Sequence, residues 1–309
     1  MNIFYPKTSP WEVDFFKNDI FKTELYNVEI NFMMFDTNTE INNNDEQHNI
    51  IVINRGISLN FLENMIKKLK PFTIFHLGDE SGEDIEYYDL YNRYNTKLLF
   101  HQFNFEKINY KMNHYQIPLG YVSGFVSNNS SINSEEREYN KTYDFSFVGA
   151  LKSDRQEMLN KFSNNFKNNF IHTGITDWSE PENQNIKPNE LFNIYKDSLF
   201  APIGRGNVNL DCMRIYEAIV GGAIPVICGS TEEIDVTFKF NKMPYIIIAD
   251  TCDKLVLLCK ELYNDKDRIR NIINSNNVWF QEQIINISKK INQLLKFEWS
   301  KKGSMNDNS

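Results

Sequence analysis

Short apolar runs that alternate with amphipathic stretches constrain this sequence more than any other feature. Residues 50–54 form a run rich in β-branched side chains, which is typical of a strand buried on both faces. Ser58 then stands where it can cap a helix with Leu62 and Leu69 on one side, and residues 72–77 form the next apolar run. This order of strand, helix and strand predicts a parallel, doubly wound sheet.

The same order begins again in the second half of the chain. Residues 143–148 predict a strand, residues 199–202 another, and residues 211–220 a helix that two glycines end. Between the halves, residues 126–141 are the most polar and turn-rich stretch of the sequence, which is typical of a linker. The prediction is an α/β protein with two Rossmann-like domains, residues 1–125 and 142–299, the linker 126–141 and a disordered tail at 300–309.

The charge balance argues against one large class of partner. The 309 residues carry 33 Lys and Arg against 41 Asp and Glu, a net charge of −8 at pH 7, whereas a protein that binds the nucleic-acid backbone is normally basic. We therefore expect no nucleic-acid partner, although a local basic pocket for one small anion is compatible with this charge. The sequence does not indicate an oligomeric state.

The absence of targeting and membrane signals predicts the cellular compartment of the protein. The start of the chain has no basic region followed by an apolar core, and no apolar run approaches the roughly 18 residues that a membrane helix needs. The four cysteines form no CxxC pair, which favours reduced thiols. We expect a cytoplasmic protein without a transmembrane segment.

Two turns of the second half are candidate phosphate sites, because ligands of open α/β sheets bind beyond the carboxyl ends of the strands. In the first of them, Gly149 ends a strand and Arg155 follows at the start of the next helix, where free backbone N–H groups attract an anion. One glycine alone is also compatible with an ordinary turn that carries solvated basic residues.

The second turn carries more polar residues at a useful spacing. Gly204 and Arg205 lie just past a strand, and Arg214 and Glu217 stand three residues apart on one helix face. An arginine grips a diphosphate with its forked donors, and a carboxylate accepts from ribose hydroxyls; the alternative is a surface ion pair worth at most about 1 kcal/mol. Asn209 stands where GxGxxG has its third glycine, which disfavours a nicotinamide-dependent dehydrogenase.

Two adjacent carboxylates, Asp79 and Glu80, directly follow a strand of the first half. A carboxylate that is partly desolvated at such a place has the raised pKa that a general base needs. The same residues also suit the first turn of a helix, where acidic side chains accept from backbone N–H groups. The two roles are compatible with each other.

No metal site or cofactor is predicted. Residues 265–267 form the only DxD motif, but they open a helix, so that capping explains them better. The five histidines show no HxxxH or HxH spacing, and no metal site can be argued from them.

Several segments of the second half resemble the exostosin-like glycosyltransferases, glycosyltransferase family 47. FAPIGRG at 200–206, DCMRIYEA at 211–218 and GGAIPVI at 221–227 follow the donor-side pattern of that family. FSFVG at 145–149 is similar to the strand that opens its donor domain. Ile203 is inserted ahead of the glycine in this pattern.

The first half carries two shorter similarities. HLGDE at 76–80 and IPLG at 117–120 resemble segments of relatives akin to ribitol xylosyltransferases. Gly78 stands where those relatives have serine.

The resemblance implies a GT-B architecture, with two Rossmann-like domains that face a cleft and a last helix that returns to the first domain. It also implies an inverting, metal-independent transfer of a sugar from a UDP-sugar to a hydroxyl of a glycan or glycoconjugate. In that scheme arginines neutralise the departing diphosphate, a glutamate holds the ribose, and a carboxylate deprotonates the acceptor. The donor-binding residues are then Gly149, Arg155, Gly204, Arg205, Arg214 and Glu217, and the candidate bases are Asp79 and Glu80.

Two other functions stay open at this point. A retaining GT-B transferase would use the same donor-binding residues without a base at Asp79 or Glu80. A catalytically inactive relative would bind glycans or assembly partners and release no UDP.

Overall fold

The structure, a computed structural model, contains two separate parallel sheets. It describes residues 1–9, 11–40, 48–54, 56–105, 108–126, 141–152, 154–174, 186–240 and 242–306, with side chains up to residue 296. The chain divides into two units. Unit 1 comprises Met1–Pro118 and Glu282–Ser309, and unit 2 comprises Leu119–Gln281.

The sheet of unit 1 has six strands. They are β1 (Asn2–Pro6), β2 (Asn31–Phe35), β3 (Asn49–Ile53), β4 (Thr73–His76), β5 (Leu98–His101) and β6 (Asn113–Gln116), and the helices are α1 (Val13–Phe15), α2 (Leu59–Leu69) and α3 (Ile85–Arg93). A π-helical turn, Phe16–Ile20, and a 3₁₀ turn, Thr23–Leu25, follow α1. The strands are all parallel, in the order β2-β1-β3-β4-β5-β6. β3 and β4 are buried along their whole length, as their apolar sequences predict.

The sheet of unit 2 has five strands. They are β7 (Tyr143–Val148), β8 (Asn169–His172), β9 (Ser198–Pro202), β10 (Ile224–Cys228) and β11 (Ile247–Ala249). The helices that follow them in the chain are α4 (Arg155–Asn165), α5 (Pro188–Lys196), α6 (Met213–Gly221), α7 (Thr231–Thr237), α8 (Cys252–Tyr263) and α9 (Lys266–Asn306). The strands are again all parallel, in the order β11-β10-β9-β7-β8. This is the arrangement that places all strand carboxyl ends at one edge of a sheet.

The predicted fold class, two Rossmann-like α/β domains of the GT-B kind, is confirmed. The local signals behind it are also present in the structure. The Ser58 hydroxyl accepts from the Phe61 N–H at the start of α2, and Gly222 ends α6 with a φ of 87°. Asp265 accepts from the Arg268 N–H at 3.0 Å, so the DxD motif caps α9 as expected.

The boundary between the two halves differs from the predicted one. We predicted that residues 119–125 belong to the first domain, whereas the structure groups them with unit 2. The reason is local packing, because the Phe125 ring lies 5.4 Å from the Phe192 ring of α5 and the Val122 N–H donates to Glu217 of α6. Residues 127–140 of the predicted linker lie outside the described residues.

The C-terminal helix is longer than expected. α9 begins in unit 2 and its residues from Glu282 onward belong to unit 1. It continues to Asn306, past the start of the predicted tail at 300, because no proline or paired glycine interrupts it. Residues 307–309 lie outside the described residues.

Candidate functional site

The turn after β7 lies against the helix α6. The Gly149 N–H donates to the His172 carbonyl at 3.0 Å, and a Cβ at position 149 would lie 2.8 Å from Nη1 of Arg214. A side chain at position 149 would therefore displace this guanidinium from the backbone. The structure therefore brings together two residues that the sequence assigned to one ligand.

Arg214 is held with donors unused. It is the second residue of α6, whose N-cap is Cys212, and its side chain is half-buried. Its Nε is buried and has no hydrogen-bond partner among the described residues, and none of these residues forms an ion pair with it. A guanidinium of this kind beside a strand-end turn is suited to binding an anion.

Glu217 follows Arg214 by three residues and lies on the same face of α6. Its side chain is 3% exposed, and it accepts from the Val122 N–H at 3.3 Å. Burial raises the pKa of Glu217 to about 7, against the Val122 N–H and the charge of Arg214, which both lower it. Glu217 is thus a carboxyl group that changes charge near neutral pH.

The substitution Glu217→Gln should change how stability depends on pH. The pKa of about 7 in the folded protein exceeds the ordinary value of 4.5, so the stability that this group contributes is present below about pH 4.5 and is lost as the pH rises through 7. The neutral amide avoids this loss, so from about pH 5 to about pH 8 the variant should lose about 2 kcal/mol less free energy of unfolding than the wild type. Urea denaturation at both pH values measures the difference.

A matched control exists on α8. Glu261 is exposed, and Glu261→Gln should keep the pH dependence of the wild type. Identical slopes for the wild type and Glu217→Gln would contradict the raised pKa.

Arg155 has a different set of contacts from the phosphate ligand that we predicted. It is 2% exposed, and its Nη1 and Nη2 donate to the carbonyls of Ala150 at 2.7 Å and Arg205 at 2.5 Å. Burial and the charge of Arg214 lower the pKa of its guanidinium. In this structure Arg155 ties the turn after β7 to the turn after β9 and so positions both.

The second of these turns depends on Gly204. Its φ is 66°, in the left-handed region, and a Cβ there would lie 2.5 Å from Cγ of Arg155. Gly204→Ala should therefore lower the free energy of unfolding by about 1–3 kcal/mol, because it combines backbone strain with a displaced Arg155. Chemical denaturation measures this loss.

The control separates strain from the clash. Gly56 has a φ of 101° and nothing within 4 Å of an added Cβ, so Gly56→Ala introduces strain alone. If Gly204→Ala were as stable as the wild type, the packing of Arg155 against this turn would carry no stability.

The guanidinium of Arg205, unlike that of Arg214, has an acidic partner among the described residues. This guanidinium forms an ion pair with Glu233, and both side chains are more than one third exposed. Glu233 also accepts from the Ser230 N–H at 2.9 Å in the capping box of α7. The charge of Arg205 is thus balanced within the protein. Our sequence analysis did not include Glu233, although the spacing of Ser230 and Glu233 is that of a capping box.

In unit 1, the turn after β4 carries the two candidate bases. Asp79 is 2% exposed and accepts from the Glu83 N–H at 3.0 Å and from the Tyr88 hydroxyl at 3.3 Å. Glu80 is half-buried, and its N–H donates to the Gly78 carbonyl at 2.9 Å. Both oxygens of Asp79 therefore accept hydrogen bonds within this part of unit 1. The predicted capping role is wrong, because α3 begins only at Ile85 with Asp84 as its N-cap, and Glu80 has the more accessible side chain.

A group with metal-ligating side chains also lies here. Ligand atoms of His76, Asp79 and Asp84 lie within 4.8 Å of one another, so these residues could hold a metal ion. Nδ1 of His76 is 2.8 Å from the Tyr91 hydroxyl and Nε2 is 2.9 Å from Asp84, which gives both ring nitrogens protein partners. The histidine-spacing motifs did not point to this group, because it joins the end of β4 to the start of α3.

Comparison with known proteins places these features in a family context. The model of the RXYLT1 C-terminal domain matches residues 124–296, more than half of the chain. No curated protein matches the chain by sequence. Among the described residues, no helix is both long enough and apolar enough to cross a membrane.

Two solved structures are similar over nearly the whole chain. One is the beta-glucosyltransferase described as a DNA modifying enzyme, studied with and without uridine diphosphoglucose, at 15% identity and a TM-score of 0.53, covering 95% of this chain and 99% of that one. The other is the T4 phage BGT in complex with UDP-glucose, at 15% identity and a TM-score of 0.50, with the same coverage. At this level of identity the likeness shows the fold.

Proposed function

Because the chain belongs to the family of the RXYLT1 C-terminal domain, an exostosin-like glycosyltransferase family, we propose that it transfers a sugar from a UDP-sugar to a hydroxyl of a glycan or glycoconjugate. The observation that carries the proposal is the pairing of Gly149 with Arg214, whose guanidinium has donors unused. The two similar structures add support, since they were studied with uridine diphosphoglucose and UDP-glucose.

The donor is proposed to bind unit 2 by its diphosphate and ribose. Arg214 faces the diphosphate beside the open backbone at Gly149, and Glu217 accepts from a ribose hydroxyl. Arg155 and Gly204 hold the two turns in place, through the contacts of Arg155 with both turns. An arginine in this position stabilises the charge of the departing diphosphate, which supports transfer without a metal ion.

The transfer is proposed to invert the anomeric carbon. The acceptor oxygen forms a bond to that carbon while the bond to the β-phosphate oxygen breaks and leaves its electron pair on UDP. The proton of the acceptor hydroxyl passes to a carboxylate of unit 1. Of the two predicted bases, Glu80 fits this role better, because its side chain is half-buried and can be reached by an acceptor, whereas Asp79 is 2% exposed.

The acceptor is proposed to be a glycan or glycoconjugate rather than DNA. One similar structure is that of a DNA modifying enzyme, but the net charge of −8 is unfavourable for a protein that follows a phosphate backbone. An acceptor panel with duplex DNA beside simple glycosides tests this directly.

The test of the function is a screen for UDP release over nucleotide sugars and acceptors, run with and without a chelator. We expect one donor and acceptor pair to release UDP in the presence of the chelator, and NMR of the product to show an inverted anomer. A retained anomer would support the retaining alternative. Binding of UDP without release from any mixture would support the inactive, glycan-binding alternative.

A further inference from the structure

Two hydrogen bonds in unit 1 lead from a buried glutamate to the turn of the candidate bases. Gln102 Nε2 donates to Oε1 of Glu12 at 3.2 Å, and the Gly78 N–H donates to Oε1 of Gln102 at 2.9 Å. Glu12 follows β1, Gly78 follows β4 and Gln102 follows β5, so three loops of one sheet edge are joined. Glu12 is 8% exposed and Gln102 is 2% exposed.

The carboxylate of Glu12 fixes which way the amide of Gln102 points. An amide offers donors at one end and an acceptor at the other, whereas an ionised carboxylate only accepts. With Nε2 directed to Glu12, Oε1 is left to accept from Gly78, as observed. Exchange of the two ends of the Gln102 amide would set its NH₂ group against the Gly78 N–H and leave that N–H without an acceptor.

The turn at Gly78 needs such support. Its φ is 76°, in the left-handed region, and a Cβ at this position would meet nothing within 4 Å. A side chain would therefore fit in space here but not in this backbone conformation, and the hydrogen bond from the Gly78 N–H to Gln102 helps to hold that conformation. Asp79 and Glu80 follow immediately, so the orientation of this peptide sets where their side chains begin.

Glu12 also changes charge near neutral pH. Burial raises the pKa of Glu12 to about 7, against the hydrogen bonds with Gln102 and Ser9. Tyr5 of β1 is a titratable neighbour of Glu12. Burial and the charge of Glu12 raise the pKa of its phenol well above the ordinary value. Tyr5 thus stays neutral while Glu12 titrates.

We propose that Glu12 is a positioning residue of the acceptor side, which through Gln102 holds the Gly78 turn in the conformation that presents Glu80. When Glu12 is protonated, it is no longer an acceptor only, so it does not fix the direction of the Gln102 amide and the turn loses its fixed orientation. The catalytic consequence rests on the proposed function, whereas the conformational link does not.

The conformational link is tested by NMR on the full chain, without substrate. In the wild type, the Gly78 amide resonance should shift with a midpoint at about pH 7, and in Glu12→Gln this shift should be absent. Glu63→Gln, which removes a partly exposed carboxylate on α2, serves as the control and should behave as the wild type. The same midpoint in Glu12→Gln would overturn the proposal.

The catalytic consequence is tested by pH–rate profiles. Glu12→Gln should turn over at every pH at the reduced rate that the wild type shows below about pH 7, without the rise of the wild type toward pH 8, since a neutral amide resembles the protonated acid and does not titrate. Glu12→Ala should lower kcat on the order of 10- to 100-fold at all pH values, with the KM for the donor unchanged, because the turn is misplaced. A partial, pH-independent turnover in the glutamine variant, above that of the alanine variant, is the result that a positioning role requires.

Two further outcomes of these experiments would lead to different conclusions. Complete loss of turnover in a folded Glu12→Gln at every pH would place Glu12 in the chemistry itself and overturn the positioning role. If no donor supports turnover in the wild type, the proposed function fails, and the NMR titration still decides the link between Glu12 and Gly78.

Discussion

Arg214→Ala should weaken UDP binding by about 10- to 100-fold, as expected for the loss of hydrogen bonds from a charged donor. Arg214 lies against the turn at Gly149 and has a buried, unused Nε. Isothermal titration with UDP measures the loss. Turnover should fall further, on the order of 10²- to 10³-fold, because the arginine also stabilises the charge that develops on the leaving group.

The matched control for this variant is Arg270→Ala. Arg270 is an exposed arginine of α9 that contacts Asp267 at 3.3 Å, and its loss should leave UDP binding unchanged. Equal affinities for the wild type and Arg214→Ala would show that the donor binds elsewhere. Arg205→Ala should have a smaller effect than Arg214→Ala, since Arg205 already pairs with Glu233.

Glu80→Gln should abolish transfer and leave UDP binding intact. Removal of a general base lowers turnover on the order of 10²- to 10⁴-fold, and Glu80 belongs to unit 1, whereas the residues proposed to bind the donor belong to unit 2. Steady-state turnover and UDP titration on the same preparation separate the two effects.

The neighbouring carboxylates supply the controls. Glu86→Gln, on the exposed side of α3, should have the activity of the wild type. Asp79→Asn should lower the free energy of unfolding, because the Glu83 N–H and the Tyr88 hydroxyl lose a charged acceptor. Normal turnover in both Glu80→Gln and Asp79→Asn would remove the base from this turn.

Local patterns were sufficient to predict most of the fold. The apolar runs of β3, β4 and β7 and the cap at Ser58 report their own conformation, because burial on both faces and capping act over a few residues. β6 was missed because its residues are polar and largely exposed, and it forms only by pairing with β5. β1 was missed as well, since its five buried residues stand at the start of the chain without a preceding element.

The sequence grouped some of the residues that meet in the candidate site, but it does not show in which direction each side chain points. The sequence grouped Gly149 with Arg214, which do meet, but also Arg155 and Arg205, which are engaged with backbone carbonyls and with Glu233. Which of these arginines keeps its donors unused depends on partners that lie far away in sequence. The link from Glu12 to Gly78 has the same character, because it joins residues 12, 78 and 102.

The helix α9 has a consequence for the order in which the two units fold during synthesis on the ribosome. Unit 1 contains Glu282–Ser309 as well as the N-terminal stretch, and Ile284, Ile287, Ile291 and Leu295 of this segment are buried. Asn292 also donates to the Leu25 carbonyl at 2.9 Å. Synthesis proceeds from the N-terminus and domains generally fold as units, so the uninterrupted unit 2 can fold before the residues from Glu282 onward are made and complete unit 1.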